Sequence, residues 1–261
     1  MISKTKLKEL AGYKQQKHCS EEGVFVVEGV KMCAEVLAAK CPVKYICATN
    51  SWLAQHADLP AGAEVHEVDR EALERLSGLK TPNEVWMLLP RQENSQFSTI
   101  VSRTPANSQF TLVLDRLQDP GNLGTIIRTA DWFGVRHIVC SPDTVSCYNP
   151  KVVQSSMGSL LRTRIDYCPL PEWLAACGKP VYGALLDGDD LWGDSIPLLP
   201  AKGAVLVIGN EAAGISPEVQ RYVTHRVKIP NLGGTAESLN AAVACAILTA
   251  ELLRGKVCQS K

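Results

Sequence analysis

Two short apolar segments in the C-terminal third of the chain each stop abruptly at a loop that contains glycine. The first is Val205–Ile208, followed by Gly209–Gly214, and the second is Val227–Ile229, followed by Pro230 and a glycine pair. Short β-branched runs bounded in this way are typical of buried strands. Open α/β sheets bind ligands at the edge where their strands end. The segment therefore predicts an α/β fold with two loops framing a ligand cleft; the alternative is two ordinary strand-to-helix turns.

Strand and helix patterns divide the chain into two blocks, residues 1–92 and 110–261. Both blocks alternate short apolar runs with segments of helical periodicity, which is typical of α/β layers. Residues 93–109 are rich in Ser, Asn, Gln and Thr and contain Pro105, a composition typical of a linker. The sequence therefore predicts a smaller N-terminal α/β domain, a linker and a larger C-terminal α/β domain.

Within the second block, the sequence predicts a strand at Phe110–Leu114, a turn at Asp119–Asn122 and a helix over Gly124–Phe133. A further strand is predicted at Val181–Leu186. An acidic loop, Asp187–Asp190, is expected to follow it.

The charges of the chain cancel, since 27 Lys and Arg residues face 27 Asp and Glu residues. No global charge therefore demands a nucleic-acid partner. The first twenty residues are nevertheless basic, with five lysines and the single carboxylate of Glu9. A local basic patch binds phosphate even on a neutral protein; the alternative is a solvated helix face.

Ten cysteines are present, but none forms C-x-x-C and none clusters with histidine at zinc spacing. They are interpreted as small buried hydrophobes in a reducing compartment, and no metal is expected. The N-terminal residues lack the apolar run of a secretory signal. The longest apolar stretch, Ala241–Leu253, is too short to span a bilayer. We therefore expect a cytoplasmic protein without a membrane partner.

Three separated motifs carry the residues suited to chemistry. The first is N-x-G-x-x-x-R-x-A, which begins at Asn122, and the second is G-N-E-x-x-G, which begins at Gly209. The third is I-P followed by A-E-S-L-N, over Ile229–Asn240. The second motif lacks the Lys-Ser/Thr of a P-loop, and no G-x-G-x-x-G opens a helix after a strand. These absences disfavour nucleoside triphosphates and NAD.

In this order the three motifs resemble the SpoU/TrmH family of RNA ribose 2′-O-methyltransferases, of the SPOUT class. The segment Tyr148–Leu161 also resembles that family, and the N-terminal block is similar to the RNA-binding domain often fused to it. The resemblance implies a C-terminal SPOUT α/β domain with a trefoil knot, a smaller N-terminal α/β RNA-binding domain, S-adenosylmethionine as cofactor and a homodimer. Ribosomal RNA is favoured as substrate. The alternatives are a transfer-RNA 2′-O-methyltransferase, a non-catalytic RNA-binding member of the fold, and a Rossmann-type nucleotide enzyme.

The resemblance also implies the site residues. The implied catalytic residues are Asn122, Arg128, Glu211, Ser238 and Asn240. The implied cofactor contacts are Leu185, Gly209, Asn210, Gly214, Ile229, Leu232 and Leu239. The implied RNA contacts are Lys4, Lys6, Lys14, Lys17 and Lys151.

Several of these residues also have structural interpretations. Asn122 is a potential helix cap, and Ser238 and Asn240 are a potential N-cap and first turn of the last helix. Glu211 is expected either to order neighbouring backbone or to contact Arg128. The stretch between Pro230 and Ser238 is one residue longer than the family's usual spacing, so the contacts of residues 231–234 stay open.

Overall fold

A computed structural model describes residues 2–79, 81, 83–91, 110–193 and 203–257 of the chain, with side chains to residue 254. The chain divides into two compact units. The first comprises Met1–Glu93 and Tyr148–Leu161, and the second comprises Asn94–Cys147 and Arg162–Lys261. The predicted linker, residues 93–109, lies outside the described residues, and the domain boundaries stay a prediction.

The first unit contains a four-stranded mixed sheet. Its strands are β1 (Val24–Glu28), β2 (Tyr45–Ala48), β3 (Glu64–Glu67) and β4 (Val85–Pro90), in the order β1-β4-β2-β3. β4 runs antiparallel to β1 and β2, and β2 runs parallel to β3. The helices among its described residues are Lys4–Ala11, Gln16–Glu21, Val30–Ala38, Asn50–Gln55, Arg70–Leu76 and Pro150–Ser156.

The segment Tyr148–Leu161 packs with the first unit, although its sequence lies between strands of the second. The ring of Tyr148 lies 4.9 Å from that of Phe25, and the Arg91 guanidinium lies 5.0 Å from the Tyr148 ring centroid. A Cβ at Gly158 would lie 2.7 Å from the Glu35 side chain, so this turn packs closely on the unit. The first unit is therefore built from two separate stretches of sequence.

The second unit contains a six-stranded sheet whose strand pairs are all parallel. Its strands are β5 (Phe110–Leu114), β6 (His137–Cys140), β7 (Arg164–Tyr167), β8 (Val181–Asp190), β9 (Ala204–Ile208) and β10 (His225–Lys228), in the order β10-β8-β9-β5-β6-β7. The helices among its described residues are Pro120–Trp132, Leu170–Cys177, Pro217–Gln220 and Ala241–Val257. Every residue of β5, β6 and β9 is buried, as expected of the inner strands of a parallel sheet.

Two local predictions in this unit are wrong. Asp119–Asn122 is not a separate turn, because the helix already begins at Pro120 with Asp119 as its N-cap. The predicted acidic loop is the end of β8, which pairs with β10 as far as Asp190. Two ion pairs explain this extension: Asp187 with Arg226 at 2.6 Å and Asp190 with Lys228 at 3.2 Å. Each acidic side chain faces a cation on the next strand, so the charges stabilise the strand pairing.

Candidate active site

The parallel sheet brings the first two motifs together. β5 and β9 are neighbours in register, with Leu114 opposite Ile208. The backbone N–H of Asp115 donates to the carbonyl of Ile208 at 2.9 Å, so the pairing continues to the point where both strands end. The loop that leads into the first motif and the loop of the second motif therefore start side by side.

The Pro120–Trp132 helix positions the side chains of the first motif. Asp119 caps this helix by accepting a hydrogen bond from the N–H of Asn122 at 2.7 Å, and Pro120 occupies the first helical position. Because Asp119 supplies the cap, the Asn122 side chain is left for other contacts. The structural interpretation of Asn122 as the cap is therefore wrong.

The second motif forms a closed loop. The backbones of Asn210 and Gly214 exchange two hydrogen bonds, at 3.0 and 2.9 Å. The Asn210 side chain accepts from the N–H groups of Ala212 and Ala213, both at 3.0 Å, and donates to the carbonyl of Arg116 at 2.8 Å. A Cβ on Gly209 would lie 2.2 Å from the carbonyl carbon of Gly214, so only glycine fits there.

A chain of polar side chains joins the three motifs. Asn240 Nδ2 donates to Asn122 Oδ1 at 2.8 Å, and Asn122 Nδ2 donates to Glu211 Oε1 at 2.9 Å. Glu211 also accepts from the backbone N–H groups of Asp119, at 3.2 Å, and Gln118, at 3.4 Å. We call Asn240, Asn122 and Glu211 the amide chain. It brings together three predicted catalytic residues that are 118 positions apart at their extremes.

The surroundings of Glu211 favour its ionised form. Desolvation raises the pKa of this carboxyl, but the hydrogen bonds from Asn122 and from backbone N–H groups outweigh it, and the net pKa is lowered. No contact between Glu211 and Arg128 is present among the described residues. Of the two predicted roles, ordering of neighbouring backbone is therefore the one observed.

The third motif enters the site through a helix cap. Asn240 accepts from the N–H groups of Ala242, at 2.9 Å, and Val243, at 3.3 Å, at the start of the Ala241–Val257 helix. Asn240 thus caps the last helix and contacts Asn122 at once. Ser238 is exposed and makes no hydrogen bond to any described residue, so it is not the cap.

The loop before this cap is organised by Asn231. Its Oδ1 accepts from the N–H groups of Gly233, at 3.0 Å, and Gly234, at 2.7 Å, while its Nδ2 donates to the carbonyls of Gly234 and Ala236. Every residue from 231 to 240 is exposed. The longer spacing of this motif is therefore accommodated as a compact loop that holds its own shape.

Arg128 lies on the same helix as Asn122 and is exposed. Within the described part of the chain, its guanidinium has neither an ion pair nor a hydrogen bond. Arg128 and Ser238 are thus two catalytic candidates with unused donor groups, beside a set of side chains that are fixed by one another.

Most of the predicted cofactor contacts lie just after strands or in the exposed loops. Leu185 instead lies in the middle of β8 rather than near its end, because that strand continues to Asp190. Leu185 and Ile229 are half-buried, and Gly209 is buried. Leu232 is 85% exposed and Leu239 is 48% exposed, values unusual for leucine. Both leucines offer apolar surface to a ligand.

The predicted RNA contacts lie on the first unit. Lys4, Lys14, Lys17 and Lys151 are exposed. Two of them have partners within the unit, since Lys14 Nζ donates to the Glu74 carbonyl at 3.1 Å and Lys17 Nζ lies 3.9 Å from Glu21. Lys6 is half-buried, and its Nζ contacts Glu9 at 2.8 Å and the Tyr45 hydroxyl at 2.9 Å. The hydrogen bond to Glu9 and then that to Tyr45 raise the pKa of Lys6.

Sequence reasoning missed three residues that shape the site. Asp119 is signalled by the Asp-Pro pair, since an N-cap aspartate before proline is a frequent helix start. Asp115 is buried and accepts from the N–H of Ser216 at 2.6 Å, which fixes the far side of the second loop. Arg116 has φ +57°, and no sequence signal marks it.

Among the described residues, no group of His, Cys, Asp or Glu side chains could hold a metal ion.

The parallel sheet and the three motifs joined at its edge define a protein of the SPOUT type. The chain belongs to the SpoU rRNA Methylase family, whose sequence model matches residues 109–250, and residues 4–86 match an MRM3-like substrate binding domain. The predicted resemblance and fold class are thereby confirmed.

Individual relatives cover nearly the whole chain. The chain is 30% identical to the 23S rRNA (guanosine(2553)-2′-O)-methyltransferase RlmP of Bacillus subtilis over 95% of each sequence. It resembles a solved TrmH-family structure from Porphyromonas gingivalis, with 36% identity, a TM-score of 0.84 and coverage of 98% of this chain and 99% of that one. It also resembles an AdoMet-bound rRNA methyltransferase from Sinorhizobium meliloti, with 29% identity, a TM-score of 0.85 and coverage of 98% and 97%.

Proposed function

We propose that this protein transfers a methyl group from S-adenosylmethionine to a ribose 2′-hydroxyl of ribosomal RNA. The observation that carries the proposal is the amide chain, because it joins all three family motifs at one sheet edge beside the exposed Arg128. Two of the relatives named above, those from Bacillus subtilis and Sinorhizobium meliloti, are named for ribosomal RNA, which supports that substrate over transfer RNA.

The residues present fit the cofactor. S-adenosylmethionine supplies a methyl group that is activated by its positive sulfur. Apolar surface at Leu185, Ile229, Leu232 and Leu239 suits the flat face of an adenine, and the backbone groups of the glycine loops suit its polar edge. We assign Gly209, Asn210 and Gly214 to the same site, because they form the closed loop that directly follows β9 at this edge of the sheet.

The chain's own residues then act on the nucleophile. The 2′-oxygen attacks the methyl carbon in line as the sulfur–carbon bond breaks, and its proton leaves to a phosphate oxygen or water. A guanidinium stays protonated in a protein, so Arg128 stabilises developing negative charge and anchors phosphate. The amide chain holds the helix of Arg128 against the second and third motifs. Ser238, with its free hydroxyl, contacts the ribose or the cofactor from the exposed loop.

We further propose that the protein is a homodimer and that its C-terminal segment forms a trefoil knot, with the protein acting in the cytoplasm. Trp132 supports the dimer, because it is 85% exposed at the end of a helix that packs on the last helix. The nine described cysteines are free, which suits a reducing compartment. Sedimentation equilibrium tests the dimer through the mass in solution, and a monomer at all concentrations would refute it.

The test of the function is transfer of labelled methyl groups to total RNA from a strain that lacks this gene, with Arg128→Ala in parallel. We expect label in one ribosomal RNA, alkali-resistant at one dinucleotide and lost in Arg128→Ala. Label in transfer RNA would show that the substrate is transfer RNA rather than ribosomal RNA. Absence of both transfer and calorimetric cofactor binding would instead favour a non-catalytic RNA-binding protein.

A further inference from the structure

Arg116 has a backbone conformation that its side chain disfavours. Its φ of +57° lies in the left-handed region, which costs a non-glycine residue energy that glycine avoids. Among the described residues, two other non-glycine residues share such a φ, Lys40 and Met157, and both directly follow or cap a helix. Arg116 follows β5 and ends no helix, so helix termination does not account for it.

The surroundings hold Arg116 in this conformation through its backbone. Its N–H donates to the Ser141 hydroxyl at 2.8 Å, and its carbonyl accepts from Asn210 Nδ2 at 2.8 Å. Neither contact needs an arginine side chain. Glycine at this position would make both hydrogen bonds without the steric cost. The local fold therefore needs the backbone of residue 116 but not its arginine side chain.

The guanidinium of Arg116 makes no contact with the described residues that would give it a structural role. Nε lies 3.6 Å from Asp115 Oδ1, which is longer than a charge-assisted hydrogen bond, and Asp115 already accepts from Ser216 at 2.6 Å. Within the described structure, no group accepts a hydrogen bond from either Nη atom of Arg116. The side chain is 37% exposed, so these donors are open to a ligand.

The position of Arg116 indicates the chemical class of its ligand. Its carbonyl accepts a hydrogen bond from Asn210 of the second motif. Arg116 also lies in the loop that leads into the helix of Asn122 and Arg128. The buried carboxylate of Asp115 restrains Nε, while the free Nη groups form the planar fork that matches phosphate oxygens. Every internal ribose of an RNA strand has a phosphate on its 5′ side and another on its 3′ side.

We propose that Arg116 binds a backbone phosphate of the RNA next to the ribose that is methylated. This inference rests on the proposed function. It assigns Arg116 and Arg128 separate tasks at the site: Arg116 holds the RNA backbone in place, and Arg128 stabilises charge at the reacting oxygen.

The test compares Arg116→Gly with the wild type in the full-length protein, using unmethylated ribosomal RNA. Glycine removes the guanidinium and relieves the backbone cost, so we expect a melting temperature within about 2 °C of wild type. RNA affinity should fall about tenfold. The slope of log affinity against log salt should become shallower by about 0.7–0.9, the loss of one phosphate contact. The calorimetric dissociation constant of S-adenosylmethionine should stay unchanged.

Two control variants sharpen the result. Arg116→Lys keeps the charge, and we expect it to keep the salt slope. Arg221→Ala removes an exposed arginine from the end of the Pro217–Gln220 helix, and it should leave the slope and the affinity unchanged.

Four outcomes would overturn the inference. Weaker binding of S-adenosylmethionine with unchanged RNA affinity would show that Arg116 holds the cofactor carboxylate. A large fall in melting temperature with an unchanged slope would show a structural role. Equal slope changes in Arg116→Gly and Arg221→Ala would show a diffuse charge effect. A wild-type protein that neither binds nor methylates RNA would instead remove the proposed function, and this inference with it.

Discussion

The amide chain has a single hydrogen-bond direction. An ionised Glu211 only accepts, so Asn122 must present its NH₂ group to Glu211 and its oxygen to Asn240. The helix N–H groups at the other end only donate, so Asn240 must present its oxygen to them and its NH₂ group to Asn122. Both amides are therefore fixed in one orientation, and the carboxylate at one end sets the geometry of residues in three motifs.

Glu211→Gln replaces one of the two acceptor oxygens that set this direction by an NH₂ donor. The new NH₂ group would face the donors of Asn122 or of the backbone, so we expect kcat to fall about 10- to 100-fold with a similar melting temperature. Single-turnover methyl transfer measures the effect, with Glu218→Gln on the neighbouring helix as the matched control. Turnover within twofold of wild type would remove the amide chain from the mechanism.

Protonation of Glu211 makes the stability of the amide chain depend on pH. Its pKa is lowered below the ordinary value of 4.5, so the stabilising hydrogen bonds of the carboxylate are fully present above that value. They are lost as pH falls through the lowered pKa of the folded state.

At the scale of single elements, the chain offers two aspartate caps of similar geometry. Asp119 accepts from Asn122 N at 2.7 Å, and Asp69 accepts from Ala72 N at 2.8 Å. We expect Asp119→Ala and Asp69→Ala each to lower the free energy of unfolding by about 1 kcal/mol. Only Asp119→Ala should also lower kcat, since it displaces Asn122. Equal kcat values for the two variants would contradict a role of the cap in positioning.

The β6–β7 strand pair contains a buried ionic cluster that sets acid stability. Asp166 accepts from His137 Nε2 at 2.8 Å and from Arg164 Nε at 2.6 Å. Desolvation raises the pKa of Asp166, but these hydrogen bonds outweigh it and the net pKa is lowered. The stabilisation is therefore present above pH 3.8 and is lost as pH falls through the lower folded pKa.

Asp166→Asn removes the charge from this cluster while keeping its size. We expect it to lower the free energy of unfolding at pH 7 by about 2–3 kcal/mol, because the Arg164 guanidinium loses its charged partner and the cluster loses one acceptor oxygen. Denaturation curves from pH 7 to pH 3 should show the difference from wild type shrinking at low pH. Asp187→Asn, which breaks an exposed pair with Arg226, should change stability little by comparison. A difference that is independent of pH would contradict the cluster's role.

The strands were more predictable than the contacts between motifs. β5 is a short apolar run, and the sequence pattern alone predicts it at the observed bounds. The extension of β8 was hidden, because its aspartates look like a loop until their cationic partners on β10 are known. The Asn240–Asn122 contact was likewise beyond sequence reasoning, since no local pattern pairs residues 118 positions apart.

At the scale of the whole molecule, the assignment of residues to units was the hardest to predict. Tyr148–Leu161 lies in the sequence of the catalytic block, yet it packs with the first unit through the contact of Tyr148 with Phe25. Residue composition along the sequence indicates a domain boundary only where the types of residue change, as they do in a linker. It cannot detect a segment that leaves one unit and returns.

The neutral net charge and the uneven distribution of lysines lead to the last prediction. Lys4, Lys14 and Lys17 are exposed on the first unit, and we expect their joint replacement by Gln to weaken RNA binding. If each lysine contacts one phosphate, the salt slope should become shallower by about 2.1–2.7 in total. Filter binding at several salt concentrations measures this, and kcat at saturating RNA should stay unchanged.

The matched control replaces three other exposed lysines of the same unit, Lys31, Lys40 and Lys44, by Gln. Both triple variants change the net charge equally, so a global charge effect would alter both slopes alike. If only the first triple variant loses RNA affinity and salt slope, the RNA binds on the face of the N-terminal helices. A loss confined to the control triple would move it to another face of the unit, because the salt slope counts the phosphates contacted rather than the total charge.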